Sequence, residues 1–199
     1  VEGHGSAHFI QHGSNLEFCE GNNRAALRAT GDYLFFLNND AWLEADCLEV
    51  LLREVRATGA SAGTPYVMNW GDDDYQWVFV AGYDLFGLPS FRVPPANTEF
   101  LFMPPGCSYL IKRELFLELG CFDSDFFMYA DELDLSWRVW LSGGSAVVVP
   151  EARLHHRGAA DVNPAGGERI IEFRTSANKR YYTNHNCLVT LLKNCRGLL

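Results

Sequence analysis

The sequence predicts an α/β fold, and three observations carry that expectation. Tyr33-Leu34-Phe35-Phe36-Leu37 is continuously apolar between turn formers, which suits a strand buried on both faces of a mostly parallel central sheet. A helix follows from about Leu43 to Ala57, with Leu43, Cys47, Val50, Leu51 and Val55 on one stripe and Gly59 as its stop. Farther on, Asp131 to Leu141 reads as a second helix, and Ala146–Val149 as a β-branched strand closed by Pro150. Strand, polar turn and helix in succession mark an α/β chain.

The remaining elements follow in order. Residues 1–14 are rich in Gly, His and Ser, with a short strand expected near His8–Gln11. Gly21 to Thr30 predicts a short helix stopped by Gly31. The stretch 63–100 is aromatic and irregular (Tyr66, Trp70, Tyr75, Trp77, Phe79, Tyr83, Phe86, Phe91) and predicts strands with a long functional loop. Ser108–Ile111 predicts a strand, and Arg113–Leu119 a short helix ended by Gly120. A helical tail occupies 176–199, mainly Ser176 to Asn194. There is no internal repeat and no low-complexity tract, so 1–199 reads as a single domain.

Composition bounds the function. At 199 residues, 48% of them apolar, the chain can bury a core of its own. A net charge of -9 with no basic stripe excludes a general nucleic-acid binder, and leaves open a nucleotide ligand whose charge a metal ion would offset. The six cysteines show no CxxC pairing, so buried reduced thiols and a reducing compartment are expected. No apolar run reaches the ~18 residues that cross a bilayer, and no signal peptide is expected. The chain opens on Val1, so a preceding segment is expected.

Three polar clusters can carry chemistry. Asp40 ends Asn38-Asn39-Asp40 directly after the apolar strand, where open α/β sheets bind ligands; it suits a metal ligand, or an N-cap for the next helix. Asp131, Glu132 and Asp134 occupy the first turn of a helix, where the macrodipole favours carboxylates, and Asp134 can pair with Arg138 one turn on. The aromatic run Phe126-Phe127-Met128-Tyr129 beside them would raise a carboxyl pKa by desolvation, as suits a general base. His155-His156-Arg157 is either a surface segment or, with hard oxygen ligands, part of a Mg2+ or Mn2+ site.

In order, these segments resemble glycosyltransferase family 2, particularly its rhamnosyltransferase-like branch. Asn15 to Ala25 followed by Gly31-Asp32-Tyr33-Leu34-Phe35-Phe36-Leu37-Asn38-Asn39-Asp40 is similar to the family's N-x-G-F, G-N-N-x-G and A-x-G-D-Y-x-x-F-L-N-x-D segments. Gly120-Cys121-Phe122-Asp123 through Phe126-Phe127-Met128-Tyr129-Ala130-Asp131-Glu132-Leu133-Asp134-Leu135-Ser136-Trp137-Arg138 is similar to G-G-F-D-x-x-F-F-x-Y-x-E-D-x-D-L-x-x-R. Val149-Pro150-Glu151-Ala152-Arg153-Leu154-His155-His156 resembles V-P-x-A-x-x-x-H.

The resemblance implies a GT-A (Rossmann-like) nucleotide-diphospho-sugar transferase fold. It implies a divalent metal, Mg2+ or Mn2+, on Asp40 and His156, with Asn38 at the first position of the D-x-D element. Asn22 and Asn23 fall where the family contacts the donor. The acid pair supplies the base, Glu132 by alignment or Asp131 by side-chain type, since the family's Glu-Asp order is inverted here. Gly106, Asp134, Trp137 and Arg138 fall on the acceptor side. An inverting transfer from a nucleotide-diphospho-sugar to a glycan or lipid-linked acceptor follows, in cell-surface polysaccharide synthesis, at a cytoplasmic location with peripheral membrane association. Glu17 and Ala25 stand where the family usually has Gly. The family's first strands have no counterpart, so the match spans roughly the C-terminal two thirds of a catalytic domain. A sugar- or nucleotide-binding module without activity is the alternative; a glycoside hydrolase leaves the strand-end position of Asp40 unexplained.

Overall fold

In the computed structural model, residues 8–71, 74–76, 79–84, 89–126, 129–157 and 177–195 are described. The elements in chain order are α1 (Glu17–Ala26), β1 (Tyr33–Leu37), β2 (Ala41–Leu43), α2 (Cys47–Thr58), β3 (Ala62–Asn69), β4 (Val80–Tyr83) and β5 (Pro89–Phe91). Then come β6 (Glu99–Leu101), β7 (Ser108–Lys112), α3 (Arg113–Glu118), α4 (Asp131–Leu141), β8 (Ala146–His156) and α5 (Ala177–Asn194). Residues 8–11 form no strand. Trp77, Phe86, Phe127 and Met128 lie outside the described residues.

The central sheet runs β1-β7-β3-β8-β2, with β6 also paired to β8. Leu34, Phe36, Tyr109 and Ile111 face a core with Phe116, Phe122 and Leu135. Tyr33, Phe35 and Leu110 face the opposite core, built on Val50, Leu51 and Val55 of α2. Both faces of β1 are therefore covered, as its unbroken apolarity predicts. The strand directions differ from expectation. β3–β8 is the parallel pair among the described strands, whereas β1–β7, β3–β7, β2–β8 and β6–β8 are antiparallel, so the sheet is mixed rather than mostly parallel. An apolar run records burial on two faces and carries no information about its neighbours' direction.

Other boundaries moved for local or tertiary reasons. α1 begins at Glu17, ahead of the expected Gly21, and the Asn15 side chain just before it accepts a hydrogen bond from the Glu17 N–H at 3.1 Å. α2 begins at Cys47 because Ala41–Leu43 pairs with β8 instead of continuing into the helix. It ends at Gly59, whose φ of 72° is the left-handed cap expected there.

β8 continues through Pro150. The register with β3 jumps from Pro65↔Val149 to Tyr66↔Arg153, so Pro150-Glu151-Ala152 bulges out and the strand resumes. Pro150 sits in that irregularity, where a proline costs no ladder hydrogen bond. The second half of β8 then carries His155 and His156 to the end of the sheet between β2 and β3. Among the described residues no helix is long and apolar enough to cross a membrane, and all six cysteines are free thiols.

Candidate functional site

Two clusters meet at one end of the sheet. The first forms where β1 ends and β2 begins. β2 pairs antiparallel with β8 in the register Ala41↔His156, and the Arg157 N–H donates to the Asp40 carbonyl at 3.1 Å. That register sets the Asp40 Oδ1 3.2 Å from His156 Nε2, with Asn38 Nδ2 3.4 Å from the same nitrogen. Since α2 starts at Cys47, Asp40 is not its cap. His155 is engaged elsewhere, with Nε2 3.2 Å from Glu44 Oε1 and its ring beside Trp42.

The neighbourhood of His156 fits a cation. Gln76 donates its amide N–H to the His156 carbonyl and presents its Oε1 to His156 Nδ1 at 3.1 Å. Burial lowers the His156 pKa, against the opposing pull of Asp40, and so favours a neutral ring. Its Nδ1 faces the Gln76 amide oxygen, and its Nε2 faces a carboxylate oxygen. Two acceptors so placed suit a divalent ion. Among the described residues no three His, Cys, Asp or Glu side chains converge as ligands, so the protein would supply two ligands and phosphate or water oxygens the rest.

The second cluster sits at the N-terminus of α4. Tyr129 and Ala130 both adopt left-handed backbone, at φ of 65° and 59°, and this turn aims the first helical residues. Asp131 points inward and is 4% exposed, with its Oδ2 enclosed and unpartnered among the described residues. Burial, and then the neighbouring Glu132, push its pKa well above the usual carboxylate range. The protonated form of Asp131 is thereby favoured, with its side chain in hydrogen-bond contact with Glu132.

Glu132 lines a pocket together with Val80, Tyr83, Phe91, Met103, Tyr129 and Cys187 among others. Burial raises its pKa too, against the hydrogen bonds it accepts from its own N–H and that of Gly106. A Cβ on Gly106 would lie 3.4 Å from Glu132 Cδ, so the bare glycine lets the carboxylate seat against the backbone. The next residue, Cys107, accepts the Asn38 N–H on its carbonyl at 3.1 Å. One short segment before β7 thus touches both clusters. The Cys107 thiol, pushed up to about 12 by burial, is inert as a nucleophile.

The other expected site residues serve the scaffold. Asp134, 0% exposed, binds Arg138 at 2.8 Å and Asn194 Nδ2 at 2.9 Å, while Arg138 also donates to the carbonyls of Leu119 and Cys121. Trp137 packs on Phe102 and Tyr83, behind the pocket wall. Asn23, expected on the donor side, is engaged with the loop before α4. Its amide donates to the Phe122 carbonyl at 2.8 Å and accepts the Phe122 N–H at 3.0 Å, which engages both ends in a clamp between α1 and the loop before α4. Asn22 donates to the Phe18 carbonyl within α1.

Two residues without a motif also shape the site. One is Gln76. The other is Asn186 of α5, 3% exposed, whose Nδ2 donates to the Tyr129 carbonyl at 2.8 Å and so ties the left-handed turn to the tail helix. Gln76 follows an acidic run and Asn186 lies on a polar helix, so neither pattern singled them out.

Comparison with known proteins agrees with this architecture. The family model for glycosyl transferase family 2 matches residues 2–134. The O-antigen biosynthesis protein RfbC of Myxococcus xanthus is 31% identical over 157 residues, covering 70% of this chain and 12% of that protein. The probable N-acetylgalactosaminyltransferase 8 of Caenorhabditis elegans is 26% identical over 152 residues, covering 66% of this chain and 35% of that protein.

Among solved structures, GalNAc-T7 with UDP, GalNAc and Mn2+ superposes with a TM-score of 0.62 at 17% identity, covering 74% of this chain and 31% of that one. The mannosyltransferase PcManGT from Pyrobaculum calidifontis, in complex with GDP-Man and Mn2+, gives 0.59 at 17% identity, covering 94% and 46%. These likenesses show the GT-A fold. The chain spans about a third of the length of the nematode relative and about an eighth of RfbC.

Proposed function

Since the chain belongs to glycosyl transferase family 2, we propose that it carries the metal and base side of an inverting sugar transfer from a nucleotide-diphosphate donor to a hydroxyl of a glycan or lipid-linked acceptor. The observation behind this reading is the segment Gly106-Cys107, which seats the Glu132 carboxylate on one residue and holds Asn38, beside Asp40, on the next. A base and a cation-binding pair are thereby held at adjacent points of one rigid turn.

Asp40 and His156 would hold the divalent ion, with Asn38 beside them on the donor side. When bound, that ion supplies charge neutralisation for a leaving nucleoside diphosphate. Glu132 takes the proton of the acceptor hydroxyl onto its carboxylate while that oxygen bonds to the anomeric carbon and the carbon–diphosphate bond breaks. Asp131 keeps its own proton and steadies the Glu132 carboxylate through the hydrogen bond between them. The apolar pocket wall of Val80, Tyr83, Phe91 and Met103 excludes water from the base and offers aromatic faces to an acceptor. UDP in GalNAc-T7 and GDP-Man in PcManGT support a nucleoside diphosphate as the leaving group. The likeness to RfbC, an O-antigen biosynthesis protein, supports a role in cell-surface polysaccharide synthesis.

The test is donor turnover by the complete protein with Mn2+ across a panel of UDP- and GDP-sugars. Release of nucleoside diphosphate that disappears in Asp40→Ala supports the transferase. Equal turnover with excess chelator would remove the metal role of Asp40 and His156. Donor binding without any turnover would favour a sugar- or nucleotide-binding module.

A further inference from the structure

Gln76 grips His156 at two points, and the chemistry of those contacts dictates which ring nitrogen carries hydrogen. The amide Nε2 donates to the His156 backbone carbonyl, and Oε1 lies 3.1 Å from Nδ1. A carbonyl only accepts, so the amide nitrogen must occupy that end and the amide oxygen must face the ring. That oxygen also only accepts, so Nδ1 must bear the hydrogen. In a neutral ring Nε2 then carries the lone pair, 3.4 Å from the Asn38 amide nitrogen and 3.2 Å from Asp40 Oδ1. A lone pair beside a carboxylate oxygen is an arrangement that a cation completes.

Gln76 is itself held by backbone. Its N–H donates to the Val67 carbonyl at 2.9 Å, Asn69 N–H donates to Asp74 at 2.8 Å, and Tyr75 bridges Met68. Residues 74–76 therefore lie antiparallel along β3, which sets the Gln76 side chain at the end of β8.

We infer that Gln76 is a positioning residue that locks His156 in the Nδ1–H tautomer and keeps Nε2 free as a ligand for a divalent cation shared with Asp40. This rests on the reading that Asp40 and His156 hold such an ion. Partners of this kind fix the ring orientation and raise the basicity of the ligating nitrogen, and removing one costs roughly 10–100-fold in metal affinity. Without Gln76 the natural choice for Nε2 would be to carry the hydrogen and donate it to Asp40, which consumes the site.

The test reads tautomer and metal affinity separately, on the complete protein. Imidazole 1H–15N correlation spectra, with the His156 signal assigned by its loss in His156→Ala, report the tautomer without metal. Mn2+ titrated alone, followed by the electron paramagnetic resonance of the free ion, reports affinity. The wild type is expected to show Nδ1–H. Gln76→Leu should shift His156 toward Nε2–H and weaken Mn2+ roughly 10–100-fold. Gln76→Glu, whose carboxylate also accepts from Nδ1–H, should keep the tautomer and stay within about threefold of wild-type affinity; it guards against a folding defect in the leucine variant.

A wild-type ring that is Nε2–H or doubly protonated overturns the inference. So does wild-type Mn2+ affinity in Gln76→Leu while His156→Ala loses binding, and that outcome leaves the cation site itself standing. Equal Mn2+ affinity in wild type and His156→Ala overturns the cation site and this inference together.

Discussion

His156 Nε2 lies 3.2 Å from Asp40 Oδ1, and the strands that carry the two residues are what bring them together. Asp40 immediately precedes β2 and His156 ends β8, and the antiparallel register Ala41↔His156 closes the distance. Position thus comes from backbone pairing and survives loss of either side chain. Asp40→Asn, which keeps the shape and removes the charge, is expected to lower Mn2+ affinity at least tenfold and leave the melting temperature nearly unchanged. Calorimetric titration and a thermal melt on the same sample check both halves.

Glu132 and Asp131 should separate cleanly in kinetics. Glu132→Gln removes the proposed base and is expected to lower turnover by about 10²–10⁴-fold with donor binding intact. Asp131→Asn keeps a donor toward Glu132 and should cost far less. Severe loss in Asp131→Asn with a mild effect in Glu132→Gln would reverse the roles.

The raised carboxyl pKa values give two pH predictions. Glu132 works only when ionised, so turnover falls as pH drops through its raised pKa, and the acid limb lies above the ordinary value of 4.5. Asp131 binds its proton more tightly folded than unfolded. Its stabilising contribution is full below the unfolded value of 3.8 and is lost as pH rises through the raised folded value. Asp131→Asn, neutral throughout, should therefore match wild type in acid and exceed it in melting temperature at neutral pH.

Gly106→Ala places a methyl group 3.4 Å from Glu132 Cδ, against the carboxylate that the Gly106 N–H holds. Turnover is expected to fall at least tenfold, since catalytic geometry is sensitive at the ångström scale, with a small change in stability. A kcat unchanged from wild type would show that Glu132 needs no support from this backbone.

Asn23→Ala strips both hydrogen bonds from the Phe122 backbone, where the Phe122 carbonyl and N–H are buried. A loss of about 1–3 kcal/mol in unfolding free energy is expected. Nucleotide affinity of the folded protein should be unchanged, because both ends of the Asn23 amide serve this clamp. A selective loss of nucleotide binding would restore its expected donor-side role.

The residues differed in how much of their role was legible from sequence. Tyr33–Leu37, Ser108–Ile111 and Asp131–Leu141 announced strands and a helix that the structure contains, because apolar period and turn formers are local records of burial. Pro150 misled for the opposite reason: a strand end and a bulge look alike until the partner strand is known. Asp131 and Glu132 are neighbours in sequence, and only the fold encloses the first and sets the second in the wall of the pocket.

By itself, the sequence determined an α/β chain of glycosyl transferase family 2, with its acidic strand end, acid pair and histidine in order along the chain. Periodicity and ordered motifs are properties of single segments and need no partner to be read. The tertiary structure alone decided the mixed strand directions, the engagement of Asn23 with Phe122, the burial of Asp131 beside Glu132, and the hold of Gln76 on His156. Each of these depends on which distant backbone a side chain meets, and a hydrogen bond between remote segments leaves no period in the sequence of either.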